Sequence, residues 1–366
     1  MEWRRLPTIA DAARLVTGGV DTHAGVHVAG VVDQAGRVLG TGEFAATAAG
    51  YRQALAWMRS HGQLVRVGVE GTGSYGAGLA RYLAGRGVEV AEVIRPNRQA
   101  RRRRGTSDAA GAVAAALAAL TGEASGVPKS HDGVVESIRM LKIARRGAVK
   151  ARTQAGNQLR DLIVTAPGQL RAQFAPLPTA QRVDLAARFR PGDLTGPDGG
   201  ARAAMASAAR RHQALSAEIA RLDAAVKELV TLAAPQQFLA GQGVAAPTAS
   251  TLLVTVGDNP ERLRSEASFA ALCGVSPVDA SSGKQRRHRL NRGGDRQANS
   301  ALWQIVMTRM SHDPRTKAYV ARRTAEGKTI KEIMRCLKRY VAREVNNALV
   351  IHPHAHAEII NSQAAA

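Results

Sequence analysis

A pair of serines opens a glycine-punctuated loop crowded with basic side chains, Ser281-Ser282-Gly283-Lys284-Gln285-Arg286-Arg287-His288-Arg289-Leu290-Asn291-Arg292-Gly293-Gly294-Asp295-Arg296. A serine hydroxyl can attack phosphorus when the negative charge that develops on the phosphoryl oxygens is neutralised. Arginines neutralise this charge and also hold the phosphodiester strand in place. The stretch therefore suits phosphodiester chemistry. A solvated basic loop that only grips phosphate would have the same composition.

Three acids in the first part of the chain stand where predicted elements end or begin. Asp21 and Glu70 each end an apolar strand, and Asp108 stands at a helix start with Ser107, after the arginine run 101–104. Taken singly, a strand-end aspartate is usually a turn residue and an aspartate at a helix start is usually a cap. Taken together, they indicate a shared Mg²⁺ site, because Mg²⁺ is held by a few carboxylates with substrate phosphate and solvent.

The elements that must position these residues follow from the apolar periodicity. The predicted strands are 19–23, 26–32, 38–44, 65–69 and 88–94, and the predicted helices are 47–60 and 75–86. Two hairpin strands followed by alternating strands and helices predict a mixed sheet flanked by helices. The α/β part is expected over 16–128.

Beyond this part the strand signals fade. Heptad-like apolar spacing predicts a helical hairpin or coiled-coil connector over 129–234, broken by the Pro/Gly-rich run 191–200; the spaced residues are Leu215, Ile219, Leu222, Val226 and Leu229. A mostly α domain over 235–350 is expected to carry the serine loop. A frayed tail is expected over 351–366.

Charge narrows the choice of partner. The 366-residue chain has 51 Lys and Arg against 29 Asp and Glu, a formal net charge of +22, so a nucleic acid is the expected partner. The most apolar run, 109–120, is shorter than the roughly 20 residues that a bilayer requires. With no apolar signal core near the amino terminus and two cysteines, we expect no membrane association and a cytoplasmic location.

Several motifs resemble those of one family. They are Val20-Asp21-Thr22-His23, Gly68-Val69-Glu70-Gly71-Thr72-Gly73-Ser74-Tyr75-Gly76, Arg95-Pro96-Asn97-Arg98, Ser107-Asp108, Ala151-Arg152-Thr153-Gln154-Ala155 and the Ser281 loop. In this order they resemble bacterial insertion-sequence transposases related to the Piv DNA invertase, the bridge-RNA-guided recombinases. The resemblance runs from about Gly19 to Val345.

The resemblance implies a first domain with a ribonuclease-H-like, RuvC-type fold and a four-carboxylate DEDD site for Mg²⁺. It also implies a carboxy-terminal serine that becomes joined to DNA. The first three acids carry over to Asp21, Glu70 and Asp108. The nucleophile precedes a glycine and a basic residue, which selects Ser282, with Ser281 as the alternative.

The fourth acid of the pattern is missing. The family has Asp-x-x-Asp, a spacing that places both carboxylates on one helix face, whereas this chain reads Asp108-Ala109-Ala110-Gly111. Either three carboxylates suffice, or this copy is impaired.

Two basic clusters are expected to contact nucleic acid. Their residues are Arg98, Arg101, Arg102, Arg103, Arg104, Lys284, Arg286, Arg287, Arg289, Arg292 and Arg296.

Three functions remain open at this point. The first is an RNA-guided DNA recombinase that acts through a phosphoserine, with donor and target DNA and a bridge RNA as partners. Because its serine is far in sequence from the acids, we expect a dimer or tetramer in which one subunit's Ser282 completes another's metal site. The alternatives are a catalytically impaired nucleic-acid binder derived from a transposase and a RuvC-like junction nuclease without a covalent step.

Overall fold

The structure, a computed structural model, describes residues 14–93, 107–283, 288–289, 291 and 293–351. These residues form two compact units. The first contains the described residues up to Asp132 together with Gly257–Arg262, and the second contains 133–256 and the described residues from Leu263 onward. Each unit is described separately.

A five-stranded mixed sheet is the centre of the first unit. Its strands are β1 (Leu15–Thr22), β2 (Val26–Asp33), β3 (Val38–Ala45), β4 (Gln63–Glu70) and β5 (Glu89–Val93), in the order β3-β2-β1-β4-β5. β2 is antiparallel to both β1 and β3, whereas β4 is parallel to β1 and to β5. The predicted pair of hairpin strands followed by strand–helix alternation is confirmed.

Helices cover the sheet on both faces. On one face lie α1 (Ala48–Ser60) and α2 (Ala77–Ala84), and the buried layer between them and the sheet includes Val20 of β1 and Met58 of α1. α1 begins after Thr47, whose side chain accepts a hydrogen bond from the Gly50 amide. The helix predicted over 75–86 is shorter at each end than expected. α3 (Asp108–Leu120) packs on β1 from the other face.

The contact between α3 and the sheet is made by backbone rather than by large side chains. A Cβ on Gly19 would lie 2.0 Å from the Ala116 nitrogen, and one on Gly68 would lie 2.3 Å from the Ala115 carbonyl oxygen. Real Cβ atoms do not approach backbone so closely, so only glycine fits at these two sheet positions. The buried face of α3 is alanine, and the helix therefore lies directly on the strands.

A long helical hairpin forms part of the second unit. α4 (Val134–Thr165) packs along α7 (Pro197–Ala233), and α5 (Gly168–Ala172) and α6 (Thr179–Ala187) lie between them in sequence. The Pro/Gly-rich break is confirmed, since α6 ends before it and α7 begins within it at Pro197. Ile219 and Val226 of the predicted heptad are buried.

Short and medium helices make up the rest of the second unit. They are α8 (Gln236–Leu239), α9 (Ala246–Val256), α10 (Glu266–Leu272), α11 (Arg296–His312), α12 (Pro314–Ala325) and α13 (Ile330–Asn346). Their core includes Phe269, Leu302, Ile305 and Ile333. Two short strands, β6 (Val278–Asp279) and β7 (His288–Arg289), pair antiparallel. Among the described residues, no helix is both long and apolar enough to cross a membrane.

Candidate metal centre and serine hairpin

Asp21 and Glu70 occupy equivalent places on two neighbouring parallel strands. β1 pairs with β4 through Gly19 opposite Gly68 and Val20 opposite Val69, so the next residue on each strand is an acid. Successive strand residues point to opposite faces, and both glycines face α3. The two acids therefore share the α3 face of the sheet.

Asp108 reaches the same region from the first turn of α3. The Ser107 side chain caps the helix by accepting a hydrogen bond from the Ala110 amide at 3.3 Å. The predicted helix start is confirmed; of the two N-cap candidates, Ser107 is the cap and Asp108 is the first helical residue. The partial positive charge of a helix amino terminus favours a carboxylate at this position.

His23 joins Asp21 and Asp108 in one cluster. Its Nε2 lies 3.7 Å from Asp21 Oδ1 and 3.4 Å from Asp108 Oδ1. One ligand atom from each of the three residues lies within 4.8 Å of the others. The Asp21 side chain is 14% exposed, and those of His23 and Asp108 are 49% and 59% exposed. The centre thus opens to solvent on one side.

Sequence reasoning placed Glu70 in this centre and did not place His23 there. Glu70 is not a member of the cluster that meets the ligand spacing. The available signal for His23 was an imidazole two residues after a strand-end aspartate, in the turn before β2.

A hydrogen bond ties the ends of the two acid-bearing strands together. Thr22 Oγ1 donates to the Glu70 carbonyl oxygen at 2.9 Å. Gly71 then turns with φ of +62°, a backbone conformation that favours glycine. The amides of Ser74 and Gly76 both donate to the Gly71 carbonyl, at 2.8 and 3.0 Å. The glycine-rich run after β4 is therefore a tight turn into α2.

Gly111 stands against the Asp21 carboxylate. A Cβ built on Gly111 would lie 2.3 Å from Asp21 Oδ2 and 3.0 Å from its Cγ. Position 111 thus faces the centre, as the i, i+3 spacing from Asp108 requires. The carboxylate of Asp21 occupies the space that a side chain at 111 would take.

The candidate nucleophiles lie on a β-hairpin in the second unit. β6 and β7 pair through Val278 opposite Arg289 and Asp279 opposite His288, so the serines follow the first strand. The Ser281 amide donates to Asp279 Oδ1 at 2.8 Å, and bonds from the Ser281 hydroxyl and amide lower the pKa of Asp279. Ser282 is exposed. Gly283 has φ of +57°, and a Cβ there would meet no atom of the described residues within 4 Å.

A half-buried asparagine and a buried lysine connect the chain segments before and after this hairpin. The Asn299 side-chain amide donates to the carbonyls of Cys273 and Gly274, at 2.9 and 3.1 Å. Lys338, 8% exposed, donates from Nζ to Asn299 Oδ1 at 2.9 Å. Sequence reasoning missed both residues, because an asparagine and a lysine within amphipathic helices carry no distinguishing local pattern.

Two of the predicted nucleic-acid contacts fall within the described chain. Arg289 ends β7, Arg296 begins α11 after the cap Asp295, and both are exposed. The other predicted contacts lie outside the described residues; they are Arg98, Arg101, Arg102, Arg103, Arg104, Lys284, Arg286, Arg287 and Arg292.

Comparison with known proteins connects both regions to one family. A model of the IS110 DEDD transposase domain, described as a transposase, matches 18–166, and the model of the Transposase IS116/IS110/IS902 family matches 236–321. The chain is also 38% identical over 88 residues to the insertion element IS110 uncharacterized 43.6 kDa protein of Streptomyces coelicolor. That match covers 24% of this chain and 22% of the relative's length. With both domains present in order along the chain, this protein belongs to the IS110 family of transposases.

Proposed function

We propose that this protein is a DNA transposase that cuts and rejoins DNA through a covalent phosphoserine at Ser282, assisted by a divalent cation. The observation that carries the proposal is the cluster of Asp21, His23 and Asp108, whose ligand atoms lie within 4.8 Å of one another in a domain of a transposase family.

The donor set of the cluster fits a divalent cation. Two carboxylates and an imidazole offer oxygen and nitrogen ligands, with Glu70 on the same face of the neighbouring strand. Carboxylate oxygens suit Mg²⁺ or Mn²⁺, and an imidazole adds affinity for Mn²⁺. A bound cation would stabilise the negative charge that develops on the phosphoryl oxygens during strand exchange.

The covalent step assigned to Ser282 transfers a phosphoryl group. The Ser282 Oγ forms a bond to phosphorus as the bond from phosphorus to one sugar oxygen breaks. The serine proton is lost and the departing sugar oxygen gains one, so the phosphate is carried as a phosphodiester on serine. Attack by a sugar hydroxyl of another strand reverses the step and rejoins the DNA.

The geometry of the hairpin favours Ser282 over Ser281 as the nucleophile. Both serines are exposed, but the amide and hydroxyl of Ser281 hydrogen-bond Asp279, whereas Ser282 lies directly beside Gly283. Since no described residue lies within 4 Å of a Cβ built on Gly283, the described part of the chain leaves room there for a phosphate.

The remaining parts of the proposal rest on the family. They are guidance by a bridge RNA, a dimer or tetramer, donor and target DNA as substrates, and a cytoplasmic location. The sheet order β3-β2-β1-β4-β5 with an antiparallel β2 supports a ribonuclease-H-like, RuvC-type first domain. The division of the chain into functional parts at 128 and 234 belongs to the same proposal.

Trapping the protein–DNA adduct tests this function. The full-length protein is incubated with guide RNA, labelled donor and target DNA and Mn²⁺, then denatured and resolved by electrophoresis. We expect a labelled adduct whose modified peptide contains Ser282. Ser282→Ala is expected to abolish it, whereas Ser281→Ala is the matched control and is expected to retain it. Strand cleavage without any adduct would replace this proposal with a junction nuclease.

Gly111 supports one alternative, an impaired family member that still binds nucleic acid. Its missing side chain leaves the centre one carboxylate short of the DEDD pattern. Binding of DNA without adduct or cleavage by the unmodified chain would establish that alternative.

A further inference from the structure

A basic groove lies beside the stem of the serine hairpin in the second unit. It encloses about 970 Å³ and is lined by hairpin residues that include Ala280 and Arg289 and, across from them, by residues of α13. The hairpin and α13 thus form two walls of one channel.

One face of α13 supplies a row of arginines to this groove. Arg335, Arg339 and Arg343 are spaced four residues apart and all line it. Residues at this spacing share a helix face and follow one another at a rise of about 6 Å along the axis. The opposite face of the helix, with Ile333 and Val341, is buried in the core. The row is therefore fixed on a rigid element.

Few acids offset this charge. The acid among the described lining residues is Glu332, and its Oε2 accepts hydrogen bonds from the Thr329 amide and hydroxyl at 2.9 and 2.8 Å as part of the α13 capping box. Arg339 pairs with Glu266, and Arg343 lies 4.0 Å from the same carboxylate. Two guanidinium groups thus share one acid, and a positive excess remains.

The interior of the groove also contains a buried cation. Lys338 lines it at 8% exposure, with Nζ held by Asn299 Oδ1. Burial lowers the pKa of Lys338, with a further contribution from the charge of Arg335. An anion in the groove would relieve the repulsion among these groups.

We propose that this groove holds the sugar-phosphate backbone of the DNA strand that Ser282 attacks, with Arg335 and Arg343 as phosphate contacts. A linear row of cations along one wall of a groove matches a chain of phosphates. Ala280 and Arg289 line the groove and belong to the hairpin that bears Ser282. We therefore favour the reacting DNA strand over the guide RNA as the occupant of the groove. The inference rests on the proposed function for the identity of that strand.

Salt-dependent binding of a labelled single-stranded DNA to the full-length protein tests the groove. Arg335→Gln/Arg343→Gln changes two exposed side chains. Loss of two phosphate contacts should flatten the slope of log K against log salt by about 1.4 for single-stranded DNA. The matched control, Arg146→Gln/Arg221→Gln, removes the same charge from exposed positions on α4 and α7 and is expected to change the slope less.

Each outcome decides the proposal. An unchanged slope for Arg335→Gln/Arg343→Gln, or an equal change in the control, would overturn it. A change seen with a single-stranded RNA of the same sequence and not with DNA would assign the groove to RNA and also overturn it. Ser282→Ala is expected to bind DNA with the parental slope, so failure of the covalent step and failure of the groove give different results.

Discussion

Gly111 stands where the family resemblance predicts a fourth acid, and its place against Asp21 makes the consequence of that difference testable. Gly111→Ala adds a Cβ where Asp21 Oδ2 now lies, 2.3 Å away. We expect the Asp21 carboxylate to be displaced and Mn²⁺ affinity to fall about tenfold, as is typical when ligand orientation is lost. The EPR signal of free Mn²⁺ measures the affinity.

Gly111→Asp should be compared with Gly111→Ala. Both substitutions add the same Cβ, so the difference between them isolates the added carboxylate. We expect Gly111→Asp to bind Mn²⁺ more tightly than Gly111→Ala. Neither should unfold the protein, since glycine within a helix is about 0.5 to 1 kcal/mol less favourable than alanine. Equal Mn²⁺ affinity for the parent and both variants would show that position 111 does not influence the ion.

The residue scale also shows what sequence could reveal about the centre. The strand-end position of Asp21 and the helix-start position of Asp108 followed from apolar runs and a cap, and the structure places both in one cluster. His23 was not found, because its part in the cluster depends on the path of the turn after β1. The lysine–asparagine pair under the serine hairpin was missed for a similar reason, since it joins residues 39 positions apart.

At the scale of elements, the packing of α3 on the sheet near the metal centre leaves no room for a side chain at Gly19. Gly19→Ala would place a Cβ 2.0 Å from the Ala116 nitrogen and 2.3 Å from the Ala112 carbonyl oxygen, both backbone atoms that cannot rotate away. We expect a loss of at least about 2 kcal/mol in the free energy of unfolding, within the range for overpacked cores. Urea denaturation measures it.

A glycine in the turn after β1 provides the control for that variant. A Cβ on Gly25 meets nothing within 4 Å, so Gly25→Ala is expected to change stability by less than about 0.5 kcal/mol. If Gly19→Ala were as stable as Gly25→Ala, the close backbone contact between α3 and β1 would be wrong.

Some element boundaries in the first unit could be predicted from local signals, whereas β1 begins at Leu15, four residues before the predicted start. Thr47 and Ser107 are side-chain caps, and turn residues separate β2 from β3. The short strands β6 and β7 were not predicted, because two residue pairs leave no alternating pattern. Their pairing depends instead on the anchoring of the flanking chain.

For the molecule as a whole, stability should depend on pH through a lysine that joins two helices of the second unit. Lys142 on α4 donates to Ser250 Oγ and Thr251 Oγ1 on α9, at 2.7 and 2.8 Å. Burial, followed by the charge of Arg145, lowers the pKa of Lys142 from 10.5 to about 8. Between pH of about 8 and 10.5, Lys142 is therefore protonated in the unfolded chain and deprotonated in the folded chain.

The sign of the effect follows from that difference in bound protons. Stability contributed by this group should rise as pH increases from about 8 toward 10.5. Lys142→Met should remove this contribution. The Tm of the parent should therefore rise relative to the Tm of the variant as pH increases over the same interval. Lys150→Met, an exposed lysine on the same helix, is the control. A constant difference for Lys142→Met across the interval would contradict the lowered pKa.

The close backbone contact between α3 and the sheet also limits which residues of the metal centre can be substituted under selection. Any side chain larger than hydrogen at Gly19 or Gly68 would push α3 away and carry Asp108 with it. Directed evolution toward another metal ion should therefore accumulate few substitutions in this interface. Variants should instead arise in the turn that carries His23, where exposed ligands can be exchanged one at a time without moving the helix.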